Sequence, residues 1–284
     1  MRWVICAVVM FALTPRAYAG DFDILRGSEP TYHWGGVYGG VQGGYTSSTV
    51  NFGQAAGPDI AYILRITAIE ADEQISDWSV LASRSPESMS LGAFLGYNCE
   101  WENIILGLEV NYNRVSLSAF SSSLITRSFS DSGDLPAGHN YYYTVTVGGQ
   151  ASLQMSDIGT LRARAGWEAG KFLPYAFAGL ALGRANVTSG ASVSYWAVDY
   201  PDSEDPPLTP LQNAYFPASW PTPATYGNSQ NNVLAYGATM GLGMDVAVLP
   251  NLFVRAELEH IYFAPVDGIQ VSLSSARLGV GVKF

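Results

Sequence analysis

The sequence predicts an all-β fold, an eight-stranded antiparallel transmembrane β-barrel with long extracellular loops and short periplasmic turns. Three observations carry that expectation. Only 13% of the 284 residues are charged while 48% are hydrophobic, and a soluble domain normally carries about twice that charge. The longest apolar run, Val4 to Leu13, has ten residues, too few for a membrane-crossing helix. Apolar residues otherwise recur at every second position over ten or more residues, as in a tilted strand crossing an outer membrane rather than the shorter strand of an exported β-sandwich.

The amino terminus comes first. Met1, Arg2 and Trp3 lead into the apolar run, followed by Pro15 and the small-x-small site Ala17-Tyr18-Ala19, the pattern of a secretory signal peptide. Residues 1–19 are expected to be removed on export, leaving 20–32 as a short periplasmic arm and 33–284 as the barrel. Cleavage takes away Cys6, so Cys99 remains alone and neither a disulfide framework nor a cysteine-based metal site can be built. With 24 acidic against 14 basic residues the chain is unsuited to nucleic acid.

Eight alternating segments follow: 33–49, 87–101, 103–119, 143–169, 172–190, 230–248, 251–264 and 270–284. The clearest is 233–248, where Leu234, Tyr236, Ala238, Met240, Leu242 and Met244 share one face and Gly237, Thr239, Gly241, Gly243 and Asp245 the other. Three connections are tight: 101–103, 170–171 and 249–251. They alternate with long ones at 50–86, 119–142 and 190–229 and a shorter one at 265–268. Because outer-membrane barrels keep short turns in the periplasm, both termini belong there and the long loops outside the cell. Loop one is acidic (Asp59, Glu70, Asp72, Glu73, Asp77, Glu87) and over 60–82 has enough apolar content for a short helix lying on the barrel mouth. Loop three carries Asp199, Asp202, Glu204 and Asp205 among seven prolines, a composition that favours an extended or mobile segment.

Parity assigns the two faces, since lipid-facing positions must be apolar whereas inward ones can be polar if they satisfy one another. Leu252, Val254, Ala256, Leu258 and Tyr262 point out and leave Arg255, Glu257 and Glu259 inside. Leu161, Ala163, Ala165 and Trp167 point out and leave Arg162, Arg164 and Glu168 inside. Likewise Glu109, Asn111 and Asn113 face inward, as do Asp245, Arg277 and Lys283. An eight-stranded barrel is just wide enough for side chains to fill it, so matched interior charges predict a salt-bridged plug. Aromatics at the ends of outward faces form two girdles: Trp34, Trp101, Trp167, Phe172 and Phe284 at the periplasmic level, and Tyr45, Tyr112, Tyr236 and Tyr262 at the outer one.

The residues also carry a resemblance. Trp34-Gly35-Gly36-Val37-Tyr38-Gly39-Gly40-Val41-Gln42-Gly43-Gly44-Tyr45 resembles the first strand of the small outer-membrane immunogenic proteins of alphaproteobacteria. Gly107-Leu108-Glu109, 159–167 and 173–181 follow in that family's order. The ending Leu278-Gly279-Val280-Gly281-Val282-Lys283-Phe284 is similar to the terminal signal read by the barrel-assembly machinery. The resemblance covers nearly all predicted strands but not the long loops, and Glu257-Leu258-Glu259-His260 replaces the aromatic-rich stretch usual in the seventh strand. It implies an OmpA-like barrel associated with lipopolysaccharide and a peptidoglycan-bearing envelope, in a family often described as porin-like.

The functional expectation is therefore an outer-membrane protein with a structural and surface-interaction role. Its expected partners are outer-membrane lipid and lipopolysaccharide, the assembly machinery through the strand ending in Phe284, and host or cell-surface ligands of the loops. A narrow gated channel is the alternative, in which Glu109, Arg162, Arg164, Glu257 and Glu259 exchange partners. No enzyme motif is present: Gly-x-Ser-x-Gly and His-Glu-x-x-His are missing, and His139 and His260 qualify as rim catalysts by position alone. No cofactor or metal is expected.

Overall fold

Period-two alternation resolves into long antiparallel strands that pair in a closed ring. The computed structural model describes residues 32–131, 139–201, 210–211 and 223–284. The predicted signal peptide, the arm up to residue 31 and Asp202, Glu204 and Asp205 lie outside the described residues. The strands are β1 (Gly36–Asn51), β2 (Glu87–Trp101), β3 (Ile104–Asp131), β4 (His139–Trp167), β5 (Phe172–Pro201), β6 (Pro210–Leu211), β7 (Ala224–Leu249), β8 (Leu252–Phe263) and β9 (Gln270–Lys283). Eight of them form the ring β1-β2-β3-β4-β5-β7-β8-β9, closed by β1 on β9 from Tyr38↔Lys283 to Asn51↔Gln270. The two-residue β6 only adds to the top of β5, at Ala197 and Val198. Among the described residues no helix is long and apolar enough to cross a membrane.

The three tight connections fall where expected, helped at two of them by left-handed backbone at Glu102 (φ 55°) and Gly170 (φ 63°). The hairpin joining β8 to β9 turns on Asp267 (φ 53°) and Gly268 (φ 74°), the Asp-Gly pair that a two-residue turn with two positive φ angles favours. Exposed Val41, Leu95, Leu108, Leu161, Leu242 and Leu258 belong to the apolar outer face.

Four strands run well past their predicted ends. The segments read as loops at 119–142 and 190–229 are largely strand, because β3 continues to Asp131, β4 starts at His139, β5 reaches Pro201 and β7 starts at Ala224. Their alternation persists, but in place of leucine and valine the outer face carries Ser118, Ser122, Thr126, Ser128, Thr144, Thr146 and Ser194, and low hydropathy there reads as loop. The extensions rise from a row of register shifts, between Arg114 and Leu117 on β3, Met155 and Asp157 on β4, and Ala185 and Val187 on β5. Such bulges bend a strand and increase its twist. On β4 the shift also exchanges faces: Ile158, Thr160, Arg162 and Arg164 are buried below it, whereas Met155, Leu153, Ala151, Val147 and Val145 are buried above it.

Loop one folds over the mouth on this taller side. Pro58 and Asp59 open α1 (Gly57–Leu64), which is followed by α2 (Ala68–Glu73) and a 3-10 turn at Ile75–Asp77. Proline in the first helical turn loses no hydrogen bond, and an acid there suits the helix dipole. Ile60, Leu64, Ile69 and Ile75 are fully buried in one apolar cluster with Val145, Val147, Leu153 and Val193 of the strands. Gly149 of β4 faces this loop: a Cβ there would lie 3.2 Å from Ala56 and from Val80.

Candidate functional site

The interior is layered, and each layer follows from which side chains the inward parity supplies. Lowest is an aromatic base of Tyr32, Trp34, Tyr38, Phe94, Tyr175, Phe177 and Phe253 with Ile105 and Leu173. Five of its rings lie opposite a glycine in the neighbouring strand: Tyr38↔Gly96, Phe94↔Gly40, Tyr175↔Gly243, Phe177↔Gly241 and Phe253↔Gly281. A Cβ at any of these glycines would come within 2.6 Å of the facing ring atoms, so the missing side chains are what let the rings lie flat across the sheet.

Trp34 belongs to this base and not to the lipid-facing girdle expected of it. It is 3% exposed, its indole Nε1 donates to the carbonyl of Gly170 at 3.2 Å, and its ring meets Phe253 edge-on. The reason is local. Residues 32–35 precede β1, so strand parity does not govern them; Gly36 (φ 113°) turns the chain and Asn98 Nδ2 holds the carbonyl of Trp34 at 3.0 Å. The other girdle positions, Trp101, Trp167, Phe172 and Phe284 below and Tyr45, Tyr112, Tyr236 and Tyr262 above, are exposed on the outer face.

Above the base lie four arginines and four carboxylates, all buried. Glu109 is the hub: it meets Arg162, Arg255 at 2.7 Å and Arg164 at 3.4 Å. Arg162 also bonds Glu257 at 2.8 Å and reaches Glu259 at 3.3 Å. Asp245 binds Arg164 and Arg255, both at 2.8 Å, and Arg277 closes the chain on Glu259. Buried charges are tolerable only when their remaining hydrogen-bonding positions are filled, and neighbouring hydroxyls and amides fill several here. Tyr38 donates to Glu109 at 2.8 Å, Tyr175 to Glu257 at 2.6 Å, Thr239 to Glu259 at 2.8 Å and Asn111 to Glu109 at 2.7 Å. The guanidinium planes rest on the base rings, Arg164 3.9 Å from Tyr175, Arg162 4.0 Å from Phe177 and Arg255 4.1 Å from Phe94, a contact that favours cations out of water. Arg162 Nε, Arg164 Nε and Arg277 Nε and Nη1 have no hydrogen-bond partner among the described residues.

All eight charges expected in this network, Glu109, Arg162, Arg164, Asp245, Arg255, Glu257, Glu259 and Arg277, meet there. Two further residues expected inside do not. Glu168 lies past the end of β4, half-buried, with its amide donating to the carbonyl of Asn103 at 2.8 Å. Burial, and after it the Glu100 carboxylate nearby, holds the Glu168 carboxyl above the ordinary range. Lys283 reaches under the barrel to the carbonyl of His33. Both sit at the open end, where parity ceases to sort residues into inside and outside. Sequence reasoning misses the polar partners Tyr38, Tyr175 and Gln42, whose amide donates to Asn113 at 2.8 Å, although Tyr38 shares a strand face with Gly40, Gln42 and Gly44. His260 points outward, its Nδ1 3.0 Å from Ser274 Oγ; the side chain of His139 lies outside the described residues.

The chain is similar to several solved structures. Ail, the attachment invasion locus protein of Yersinia pestis, is 12% identical over 88% of this chain and 99% of its own, with a TM-score of 0.35. Neisserial surface protein A is 14% identical over 87% and 97%, with a TM-score of 0.34. The N-terminal β-barrel domain of Pseudomonas aeruginosa OprF is 12% identical over 87% and 97%, at 0.31. The chain has no match among curated protein sequences. The closed ring, the greasy outer face and the charged interior agree with what a family model identifies over residues 4–284: the chain belongs to the outer membrane protein beta-barrel domain family.

Proposed function

We propose that the protein is a structural and surface-interaction barrel of the Gram-negative envelope whose interior is plugged. The observation that carries this reading is the stacking of three fillings along one axis: the aromatic base, the network centred on Glu109, and the apolar seat of loop one. With the lumen so occupied, the parts of the molecule free to act are its outer face and its extracellular end. The resemblance of 34–45 to the alphaproteobacterial immunogenic proteins supports a surface role. Export after cleavage near Ala19, assembly through the strand ending in Phe284, and outer-membrane lipid, lipopolysaccharide and host or cell-surface ligands as partners are parts of the same proposal, with no catalytic activity assigned.

The test is single-channel conductance in a planar bilayer, using protein whose gel mobility shifts on heating as a folded barrel's does. The expected result is a silent bilayer; reproducible discrete steps from wild type would overturn the reading. One observation favours a gated channel instead: Arg162 already contacts three carboxylates, so partners could exchange without leaving a charge unpaired. In that case Arg164→Ala should raise or destabilise conductance.

A further inference from the structure

The outer face carries one charged group at the top of its apolar band. Arg114 of β3, Asp157 of β4 and Arg184 of β5 are directly paired across neighbouring strands. Asp157 does not serve the arginines as a hydrogen-bonding partner. Its Oδ1 accepts from the Tyr112 hydroxyl and its Oδ2 from the Ser156 hydroxyl, both at 2.6 Å. Both arginines are exposed, and neither makes a hydrogen bond or ion pair with a described residue. The group therefore presents two guanidinium forks and a net positive charge on a chain that is acidic overall.

Beside it is an open concavity of about 1120 Å³ on the outside of the wall. It exists because β3 parts from β2 above the pair Ser90↔Val115 and bulges between Arg114 and Leu117. Its β2 side is apolar, with Met89, Leu91 and Ala93 on the lining beside Tyr112 of β3, and Met89 is 82% exposed. Arg114 stands at the boundary, and above it come uncharged polar groups, Ser116, Ser118, Gln154 and Ser156. From β2 across to β3 and β4 the surface passes from apolar to cationic, with hydroxyl and amide groups above Arg114.

We propose that this surface binds a bis-phosphorylated acylated disaccharide of the outer leaflet, the lipid A class of glycolipid. Acyl chains lie along Met89, Leu91 and Ala93, phosphates meet Arg114 and Arg184, and sugar hydroxyls face the serines and Gln154. Arginine forks match phosphate oxygens in pairs, and the two arginines, two strands apart, are spaced by roughly 10 Å, room for two phosphates and more than a single-phosphate glycerolipid fills. The proposal rests on the barrel's orientation in the outer membrane and not on whether its interior conducts.

The test titrates folded wild type in detergent with purified lipid A, with the same lipid dephosphorylated, and with phosphatidylglycerol, counting bound lipid by native mass spectrometry. Lipid A should bind wild type most tightly. The double variant Arg114→Gln/Arg184→Gln should bind it on the order of tenfold or more weakly, as should Ser116→Glu, which keeps both arginines but places a negative charge beside the concavity. Arg127→Gln, which alters an arginine stacked on Trp78 at the mouth, should bind as wild type does. Undiminished binding by the folded double variant or by Ser116→Glu would overturn the proposal. So would phosphatidylglycerol binding wild type as tightly as lipid A, since the surface would then be an unselective anionic-lipid contact. Conductance is measured separately, so failure of the plugged reading leaves this result standing.

Discussion

Phe94 lies directly across the sheet from Gly40, and its ring fills the space a side chain at Gly40 would take: a Cβ there would sit 2.5 Å from Phe94 Cζ and 2.2 Å from the carbonyl of Val280. The contact is shared by ring and backbone, so neither can yield cheaply. Gly40→Ala should destabilise the folded barrel by about 1–3 kcal/mol, read as a lower urea midpoint in the heat-shift gel assay. The outward Gly43, whose Cβ would meet nothing closer than 3.7 Å, should accept alanine with little change; equal effects at both positions would contradict the packing described.

Glu109 serves three arginines, and its loss is predicted to cost more than that of Glu257. Glu109→Gln leaves Arg162, Arg164 and Arg255 with a neutral neighbour where a carboxylate stood, and breaking a buried pair in this way costs about 3–5 kcal/mol. Glu257→Gln removes a carboxylate whose partners Arg162 and Arg255 each keep two others and should cost less. Unfolding midpoints of the two variants, compared with wild type in the same lipid, decide the order.

Loop one should hold the barrel mouth more firmly in acid than at neutral pH. Asp59 on α1 is buried with Oδ2 unpartnered. Burial raises its carboxyl above the ordinary value, Asp267 adds to that, and a hydrogen bond from Ser189 opposes it. A raised folded-state value means the folded loop binds the proton more tightly than the released loop. Stability from this group is thus greatest below the ordinary aspartate range and falls as pH rises through the raised value. Amide protection over 57–64, corrected for intrinsic exchange, should drop from acid to neutral pH in wild type, and Asp59→Asn should abolish the difference.

Topology can be checked with single cysteines in a Cys99→Ser background. A membrane-impermeant maleimide should label Thr126→Cys on intact cells and Asn103→Cys only after the outer membrane is opened. The reverse pattern would invert the barrel.

Deletion of Ser156 should leave the barrel able to fold, a consequence of β4 that alternation by itself does not disclose. Over 143–169 the odd-numbered apolar residues Tyr143, Val145 and Val147 and the odd-numbered Leu161, Ala163 and Ala165 read as one face of one strand. In the structure the first three are buried under loop one while the last three face lipid, and the slip at Ser156 reconciles them. Removing it leaves Met155 and Ile158 two positions apart, both inward, so regular alternation keeps both sets on their own sides, whereas closing the slip with the residue in place would exchange one set between faces. Retention of the heat-shifted form is the expected readout, and its loss would contradict the slip described.

That strand shows what was legible and what was not. Which residues face inward is a local property, so Glu109, Arg162, Arg164, Asp245, Arg255, Glu257, Glu259 and Arg277 could be read within short windows. Which of them meet depends on register around a closed ring, and no window contains it: Arg162 and Glu257 are 95 residues apart. The rule also fails where strands end, as at Trp34, Glu168 and Lys283, and where a strand leaves the bilayer and trades leucine for serine, as in the upper parts of β3, β4 and β5. The short helix expected in loop one did form, since apolar residues that find no strand partner in a loop need another surface to bury against.

The charge network also bears on how the chain reaches its closed form. Its members come from β3, β4, β7, β8 and β9, so Arg164 finds Asp245 only with β7, Arg162 finds Glu257 and Glu259 only once the penultimate barrel strand has arrived, and Arg277 enters with the last. A sheet lacking those strands would hold Arg162 and Arg164 with Glu109 as the one carboxylate of the network, an excess positive charge in a medium that penalises it heavily. The interior thereby discriminates between a complete ring and a partial one: strands gain their full stability together or not at all, and a truncated chain carries its own penalty against settling in the membrane.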